Sequence, residues 1–283
     1  MTHQDLTDYA SEGGGSSAAR YVPDSCIGFD VTADFAHFRK VGNNSAKPSY
    51  RVPPRTTVAG LLAGIMGMPR DSYYDLFSPS SSVVAVVPKK LPHTYTMGIT
   101  TVNTNQDAIW YLPMERNGSN RVEMLTPESY LEKWDKGRKD LMETPRQRDT
   151  YEMLVDPVYR VYVALADEDV HDELRERLTT PRYYYSPALG LSECIADIRN
   201  VNTHTVESAT TDAVDSAAYD DSAVIPEPGV TIKRERAPLY MEATDDGRRT
   251  TAFGNITYAT GDDRLPVDLS RTHAVGDHEV ILY

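Results

Sequence analysis

The sequence predicts an α+β chain, and three observations carry that reading. Short β-branched runs alternate with two stripes of apolar residues at helical spacing. Their order is β-α-β, a break of about 70 residues, then β-α-β, which is the element order of a ferredoxin-like domain. No segment repeats elsewhere in the chain.

Ser25–Thr32 (SCIGFDVT) reads as the first strand. Thr56–Gly67 places Val58, Leu61, Leu62, Ile65 and Met66 on one helical face, with Pro53-Pro54 as a start signal and Gly67 as a stop. Ala59, Gly60, Ala63 and Gly64 form a small-residue stripe on that helix, fit for close backbone packing. Ser82–Pro88 (SVVAVVP) reads as a buried strand, and Val158–Leu165 (VYRVYVAL) as another. Asp167–Leu178 follows as a helix carrying Val170, Leu174 and Leu178, and Glu193–Ile198 is expected to close the set as a strand.

The domain plan is then a disordered tail over 1–22 and a ferredoxin-like domain over 23–205. A flexible acidic insert follows over 206–225, then a small C-terminal β unit over 226–283. The long insertion, about 89–156, falls between strands two and three of the domain. It carries a hairpin signal: Ala108–Leu112, then Asn117-Gly118, then Arg121–Met124. It is expected to project as a structured element.

Composition narrows the class. No apolar run reaches the roughly 18 residues of a membrane span, and no basic-then-apolar leader opens the chain. Cys26 and Cys194 are too few for a disulfide framework or a zinc site, which fits reduced thiols in a cytoplasmic protein. No cofactor is expected. The net charge is −13, with scattered acids and arginines well in excess of lysines, a balance that fits a halophilic host.

One window breaks the acidic pattern. Between Phe35 and Gln106 the only acids are Asp71 and Asp75, against Arg39, Lys40, Lys47, Arg51, Arg55, Arg70, Lys89 and Lys90. That local net charge of +6 leaves −19 for the remainder. Such asymmetry suits a polyanion, although half of the window also reads as core helix and strand, where neither sign belongs.

The densest part joins the first strand to the first helix: His37-Phe38-Arg39-Lys40, Asn43-Asn44-Ser45, Lys47, Tyr50-Arg51 and Pro53-Pro54-Arg55-Thr56-Thr57. Free amides at a helix start and bidentate arginines would hold phosphates, and Phe38 or Tyr50 would stack on bases. An ordinary solvated loop is the alternative. Lys89, Lys90, Arg116 and Arg121 make the insertion positive, with Trp110 either a platform or a core residue. Tyr183–Gly190 is an aromatic loop ending in Gly, set before the last strand. Seven histidines lie scattered without metal-binding or nucleophile motifs; His37 or His93 would be the candidates for general-base cleavage of RNA.

The residues carry a resemblance. Ile27-Gly28-Phe29-Asp30, Ala33-Asp34-Phe35-Ala36-His37-Phe38-Arg39 and Ser49 to Ala63, with its Tyr-x-x-Pro-Pro-Arg-Thr-Thr-Val block, resemble the N-terminal signature of the Cas-five family. That family belongs to the RAMP superfamily of CRISPR-associated proteins. Arg146–Asp149, Leu154–Arg160 and Tyr184–Cys194 add to the likeness, which looks most like type I-B systems, haloarchaeal ones included.

The resemblance implies a thumb-like hairpin and a place in Cascade, capping the 5′ handle of the crRNA in antiviral defence. It implies RNA contacts at Arg39, Lys40, Lys47, Tyr50, Arg51, Arg55 and Thr56. Thumb or partner contacts would fall at Lys89, Lys90, Trp110, Arg116 and Arg121. The implied neighbours are Cas-seven backbone subunits, the Cas-eight large subunit and, through the complex, target DNA. The Tyr, Lys and His constellation of the type I-C branch is not matched, so a non-catalytic role is expected. The alternative is a metal-independent endoribonuclease acting on precursor crRNA.

Overall fold

The computed structural model describes residues 21–40, 46–102, 114–116, 122–124, 146–219, 223–245, 247–268 and 272–283. In chain order its elements are β1 (Ser25–Thr32), β2 (Phe35–Ala36), β3 (Ala46–Lys47), α1 (Arg55–Met66), β4 (Ser82–Lys90), β5 (His93–Val102), β6 (Met114–Arg116), β7 (Val122–Met124), β8 (Arg146–Val155), β9 (Val158–Leu165), α2 (Glu168–Thr179), β10 (Asp197–Ala209), β11 (Ala213–Val214), β12 (Ile232–Thr244), β13 (Gly247–Ala259), β14 (Leu265–Pro266), β15 (Thr272–Val275) and β16 (His278–Val280). Strand pairing is almost entirely antiparallel, and α1 and α2 are the helices among the described residues. The architecture is α+β. Neither helix is long and apolar enough to cross a membrane.

The chain divides into two compact units. One comprises Met1–Phe38, Tyr50–His93 and Leu154–Tyr283; the other comprises Arg39–Ser49 and Thr94–Met153.

The larger unit is built on a six-stranded sheet in the order β16-β15-β10-β1-β9-β4. β1 lies antiparallel to both β9 and β10, with Phe29 opposite Val161 and Asp30 opposite Arg160. Near-continuous apolar runs in β1, β4 and β9 are the mark of strands covered on both faces. On the helix side Ile27, Phe29, Val31, Val84, Val86, Val161 and Val163 pack with Val58, Leu62 and Ile65 of α1 and Leu174 and Leu178 of α2. On the other side Cys26, Val83, Ala85, Val87, Tyr162 and Ala164 pack with Val275, Val280 and Leu282.

The helix ends follow local chemistry. The Asp167 side chain accepts from the Val170 amide and so caps α2, with Glu168 and Asp169 in its first turn. α1 stops at Gly67, whose φ of 75° only glycine adopts cheaply. There the Met68 amide donates to Ala63 and the Gly67 amide to Gly64, satisfying two of the last carbonyls. The carbonyls of Gly64 and Ile65 also accept from the amides of Tyr185 and Tyr184, so the small-residue stripe meets the aromatic loop.

Three expectations are corrected. The closing strand of the domain is not at 193–198; it is β10, which runs from Asp197 to Ala209 and takes in residues read as flexible. The rest of the stretch read as a flexible acidic insert is also ordered where described. Val214, Ala217, Ala218 and Tyr219 are buried, and Ala217 donates to the Val86 carbonyl, beside the edge of β4. Its alanines and valine, scattered among acids and serines, hid an inward-facing segment. Finally, 226–283 is not a separate unit. β12 and β13 form a hairpin of 13-residue strands whose Ala237, Leu239, Ile256 and Tyr258 complete the helix-side core, while β15 and β16 extend the main sheet.

In the smaller unit β3 pairs in parallel with β8, Ala46 opposite Thr150 and Lys47 opposite Tyr151, and β5 also pairs with β8. β6 and β7 make a hairpin with Met114 opposite Met124 and Arg116 opposite Val122. The expected strand over 108–112 and the Asn117-Gly118 turn lie outside the described residues.

Candidate nucleic-acid interface

The residues expected to hold phosphate fall into both units. Arg39, Lys40 and Lys47 belong to the smaller one; Tyr50, Arg51, Arg55 and Thr56 belong to the larger.

In the smaller unit Arg39 is exposed and forms a bridge with Ser49, while the Lys40 amide donates to the Pro48 carbonyl. Lys47 is engaged: its ammonium lies 2.6 Å from Asp149 Oδ2 and 2.9 Å from the Tyr151 hydroxyl. The hydrogen bond to Asp149, then that to Tyr151, raises the Lys47 pKa above its ordinary value. Its side chain is mostly covered, so a phosphate would have to compete with a carboxylate already in place.

In the larger unit the start of α1 is closed, which corrects the expected cradle there. Pro53, Pro54 and Arg55 are all buried, and the Tyr219 hydroxyl donates to the Pro53 carbonyl at 2.8 Å. Arg55 is only 1 % exposed. Its guanidinium donates to the backbone oxygens of Phe77, Ser82 and Tyr283 and, at 2.7 Å, to Ser82 Oγ, and it lies over the Tyr240 ring. A side chain spent on carbonyls from three segments is an internal clamp, not a phosphate ligand.

Tyr50 is likewise buried, donating its hydroxyl to the Arg236 carbonyl at 2.7 Å, so it offers no stacking face. Phe38 is buried too. Arg51 is partly exposed and donates to the Pro92 carbonyl, while Thr56 is partly exposed on the first turn of α1. Pattern alone could not separate these roles, because arginine and tyrosine serve equally as inner clamps and as outer ligands.

Of the residues assigned to the insertion or its partners, Lys89 and Lys90 are exposed at the end of β4, with Lys89 bonded to Asp30 at 3.0 Å. Arg116 pairs with Val122 across the β6–β7 hairpin, and Trp110 and Arg121 lie outside the described residues. Tyr184 and Tyr185 are well exposed and meet edge to face at 4.8 Å. Their loop ends at Gly190, whose φ is +92° and where an added Cβ would fall 1.9 Å from the His37 carbonyl oxygen.

A polar cluster in the larger unit escaped the sequence reading. Asp30 accepts from Asn200 Nδ2 at 2.7 Å and from Lys89, and faces Arg160 Nη1 at 3.4 Å. Arg160 also donates to the Asn200 carbonyl and reaches His204 Nε2 at 2.9 Å, and the Tyr162 hydroxyl bonds His278 Nδ1 at 2.7 Å. Burial opposes ionisation of Asp30, yet the bonds from Asn200 and Lys89 and the charges of Lys89 and Arg160 hold its carboxyl below the ordinary value. Burial lowers His204, and the Arg160 charge adds to that. Burial alone drives Cys26 up to about 12, against the Arg160 charge. Asp30 stood in the sequence as an acid within a strand, but its partners on β4, β9 and β10 are brought together only by the sheet.

His37 is buried, at 1 % exposure, and His93 is exposed at the start of β5. Among the described residues no group of three His, Cys, Asp or Glu side chains is placed to hold a metal ion.

Comparison with known proteins places the chain. No curated protein matches it. Among solved structures, a chain titled "CRISPR RNA-guided surveillance complex" is 13 % identical with a TM-score of 0.43, covering 86 % of this chain and 92 % of that one. A chain of the "Cryo-EM structure of the Type III-B Cmr-beta bound to cognate target RNA and AMPPnP, state 1" is 10 % identical with a TM-score of 0.39, covering 85 % and 86 %. Likenesses of that size carry no argument about fold or partners. The model of the family described as CRISPR-associated protein (Cas_Cas5) matches residues 26–258. That span takes in β1 through β13 and most of the sequence, and the chain belongs to the Cas5 family of CRISPR-associated proteins.

Proposed function

We propose that this protein is a non-catalytic, RNA-binding subunit of a CRISPR effector complex, holding the 5′ handle of the crRNA. The observation that carries the reading is the family match over 26–258. The strand order β10-β1-β9-β4, with α1 between β1 and β4 and α2 between β9 and β10, supports a ferredoxin-like domain at its centre.

Each unit by itself offers residues through which phosphates would be held: Arg39 and Lys40 in the smaller one, Arg51 and Lys90 in the larger. Arg55 and Tyr50 belong to the interior of the larger unit. Partners would include a Cas-seven backbone subunit and a Cas-eight large subunit, with sequence recognition left to guide–target pairing. The non-catalytic reading draws on the burial of His37, which keeps its ring from solvent, and on the tie between Lys89 and Asp30.

The test is purification of the complex from a host expressing the whole system, at that host's own salt. A variant with Arg39→Ala, Lys40→Ala and Arg51→Ala should lose bound crRNA while the chain remains folded; full retention of crRNA would refute the assigned contacts. Incubating the protein with precursor RNA in EDTA should give no cleavage, and specific cleavage lost in His93→Ala would replace this reading with the nuclease.

A further inference from the structure

The six-stranded sheet curls until its two sides meet. Past the end of β16, the Tyr283 amide donates to the Val84 carbonyl of β4 at 3.0 Å, and the Val84 amide donates back at 2.9 Å. Alternation along the paired strands puts His204 on β10, His273 on β15 and His278 on β16 on one face, with Cys26 on β1 and Tyr162 on β9. The curl brings together rings from strands that are not neighbours. The Tyr162 ring lies 5.7 Å from the His204 ring and 5.8 Å from the His278 ring, edge to face with each. The turn between β15 and β16 presses on the same place, since a Cβ added to Gly276 would fall 2.8 Å from His204 Nδ1. Cys26 is fully covered, in one apolar cluster with Val275, Val280 and Leu282.

We infer that this curl is a proton-operated latch: the hairpin of β15 and β16 covers Cys26 while His204, His273 and His278 are neutral, and lifts when they take up protons. The bond between Arg160 and His204 carries the inference. A guanidinium only donates, so His204 Nε2, 2.9 Å from Arg160 Nη2, must accept, and only the neutral ring can do so. Protonation sets donor against donor and like charge against like. Asp277 draws a charge on His204, while Arg160 and His278 repel it. His278 Nδ1 bonds the Tyr162 hydroxyl at 2.7 Å, and a charge there is repelled by Arg160 and Lys89 and drawn by Asp215 and Asp277. Asp30 faces the same two cations and is bonded to both. His273 Nδ1 is buried without a hydrogen bond among the described residues, so its charged form has no partner there. Burial opposes the charge on all three rings and is the largest effect on each. The Cys26 thiol, pushed up to about 12 by burial, and the Tyr162 phenol, also raised by burial, stay neutral throughout.

The experiment uses the purified full chain with Cys194→Ser, which leaves Cys26 as its one thiol, and 4,4′-dithiodipyridine, which reacts with thiols in mild acid. Labelling rates from pH 7.5 to 5.5, at constant salt, are divided by those of the same chain unfolded in urea. One histidine that is neutral when latched and ordinary when open raises the open fraction by at most about tenfold over that range, and each further one multiplies it again. The relative rate at Cys26 should therefore rise by about tenfold or more while the helical circular dichroism stays constant. His204→Gln, which still accepts from Arg160, should reduce the rise, and adding His278→Gln should reduce it further. A relative rate independent of pH overturns the inference. A rise that coincides with loss of the helical signal does so too, as does one unchanged in both variants. Hydrogen exchange of the wild-type chain, corrected for intrinsic rates, gives a second reading that does not depend on Cys194→Ser folding. Amides of β15 and β16 should lose protection in acid before those of β1 and β9; simultaneous loss overturns the latch.

Discussion

Asp30 and Arg160 are direct cross-strand partners on β1 and β9, and their side chains face each other at 3.4 Å with 11 % and 8 % exposure. Arg160 also bonds the Asn200 carbonyl and His204, but Asp30 is the carboxylate that faces it, whereas Asp30 has a second cation in Lys89. Asp30→Ala should therefore cost about 3–5 kcal/mol, the range for breaking a buried ion pair from one side, because it strands a buried guanidinium. Asp30→Asn should cost less, and Arg160→Met on the Asp30→Ala background should recover part of the loss. Urea denaturation of the four proteins decides it. An Asp30→Ala midpoint equal to the wild type would show that the pair contributes nothing.

Acid should destabilise the protein through its histidines before its carboxylates. Burial lowers His171, His204, His273 and His278 below the ordinary value of 6.5. Arg160 adds to the effect at His204 and Lys89 and Arg160 at His278, while Asp277 opposes at both and Asp215 at His278. As pH falls below 6.5 the unfolded chain takes up protons that the folded chain refuses, so stability falls with pH in that window. Asp30, also lowered, contributes stability that is lost only at more acid pH, below the ordinary carboxylate range. Melting temperatures at constant salt should decline from pH 7.5 to 5.5, and His204→Gln, which keeps an acceptor for Arg160, should decline less steeply. A flat wild-type profile would contradict the burial of these rings.

Arg55 should behave as a core residue. Removing its guanidinium takes a donor from the backbone oxygens of Phe77, Ser82 and Tyr283, of which Tyr283's keeps the Val84 amide, at about 1–3 kcal/mol for each buried group left unsatisfied. Arg55→Met should thus lower stability by about 2 kcal/mol or more. Arg55→Lys should recover little, since an ammonium cannot span three segments in the plane of a fork. RNA affinity of whatever fraction folds should match the wild type. A stable Arg55→Met protein with reduced affinity would return this residue to the interface.

Much of the central architecture was legible because the strands are buried on both faces. SCIGFDVT and VYRVYVAL leave little room for another reading, and Asp167 and Gly67 mark helix ends by capping chemistry. The C-terminal half was harder. β10 alternates exposed and half-buried residues with few apolar ones, so its pattern resembles a polar linker until β1 and β15 flank it. The basic stretch was legible as charge but not as geometry. Lys47 finds Asp149 a hundred residues away, and Arg55 finds carbonyls near residues 77, 82 and 283. Such partners depend on long-range folding that local pattern does not encode.

Gly190 offers the sharpest steric test, because two independent obstacles coincide there. Its φ of +92° penalises any side chain, at about 1–2 kcal/mol for the left-handed region alone. An added Cβ would also sit 1.9 Å from the His37 carbonyl oxygen, a backbone atom that cannot rotate away. The neighbouring Leu189 carbonyl accepts from the His37 amide at 3.1 Å, so displacing one segment breaks the bond that registers both. Gly190→Ala should therefore cost more than the conformational term and loosen the loop that carries Tyr184 and Tyr185. Gly28→Ala makes the comparison, since its Cβ would meet only side chains, Arg160, His204 and Tyr162, at 2.7–2.8 Å. Those can shift, though at the expense of the Asp30 cluster. Hydrogen exchange should then show faster opening at the His37 amide in Gly190→Ala and at the β1–β10 amides in Gly28→Ala. Equal protection at His37 in both variants would mean that the contact between Gly190 and His37 is not as close as described.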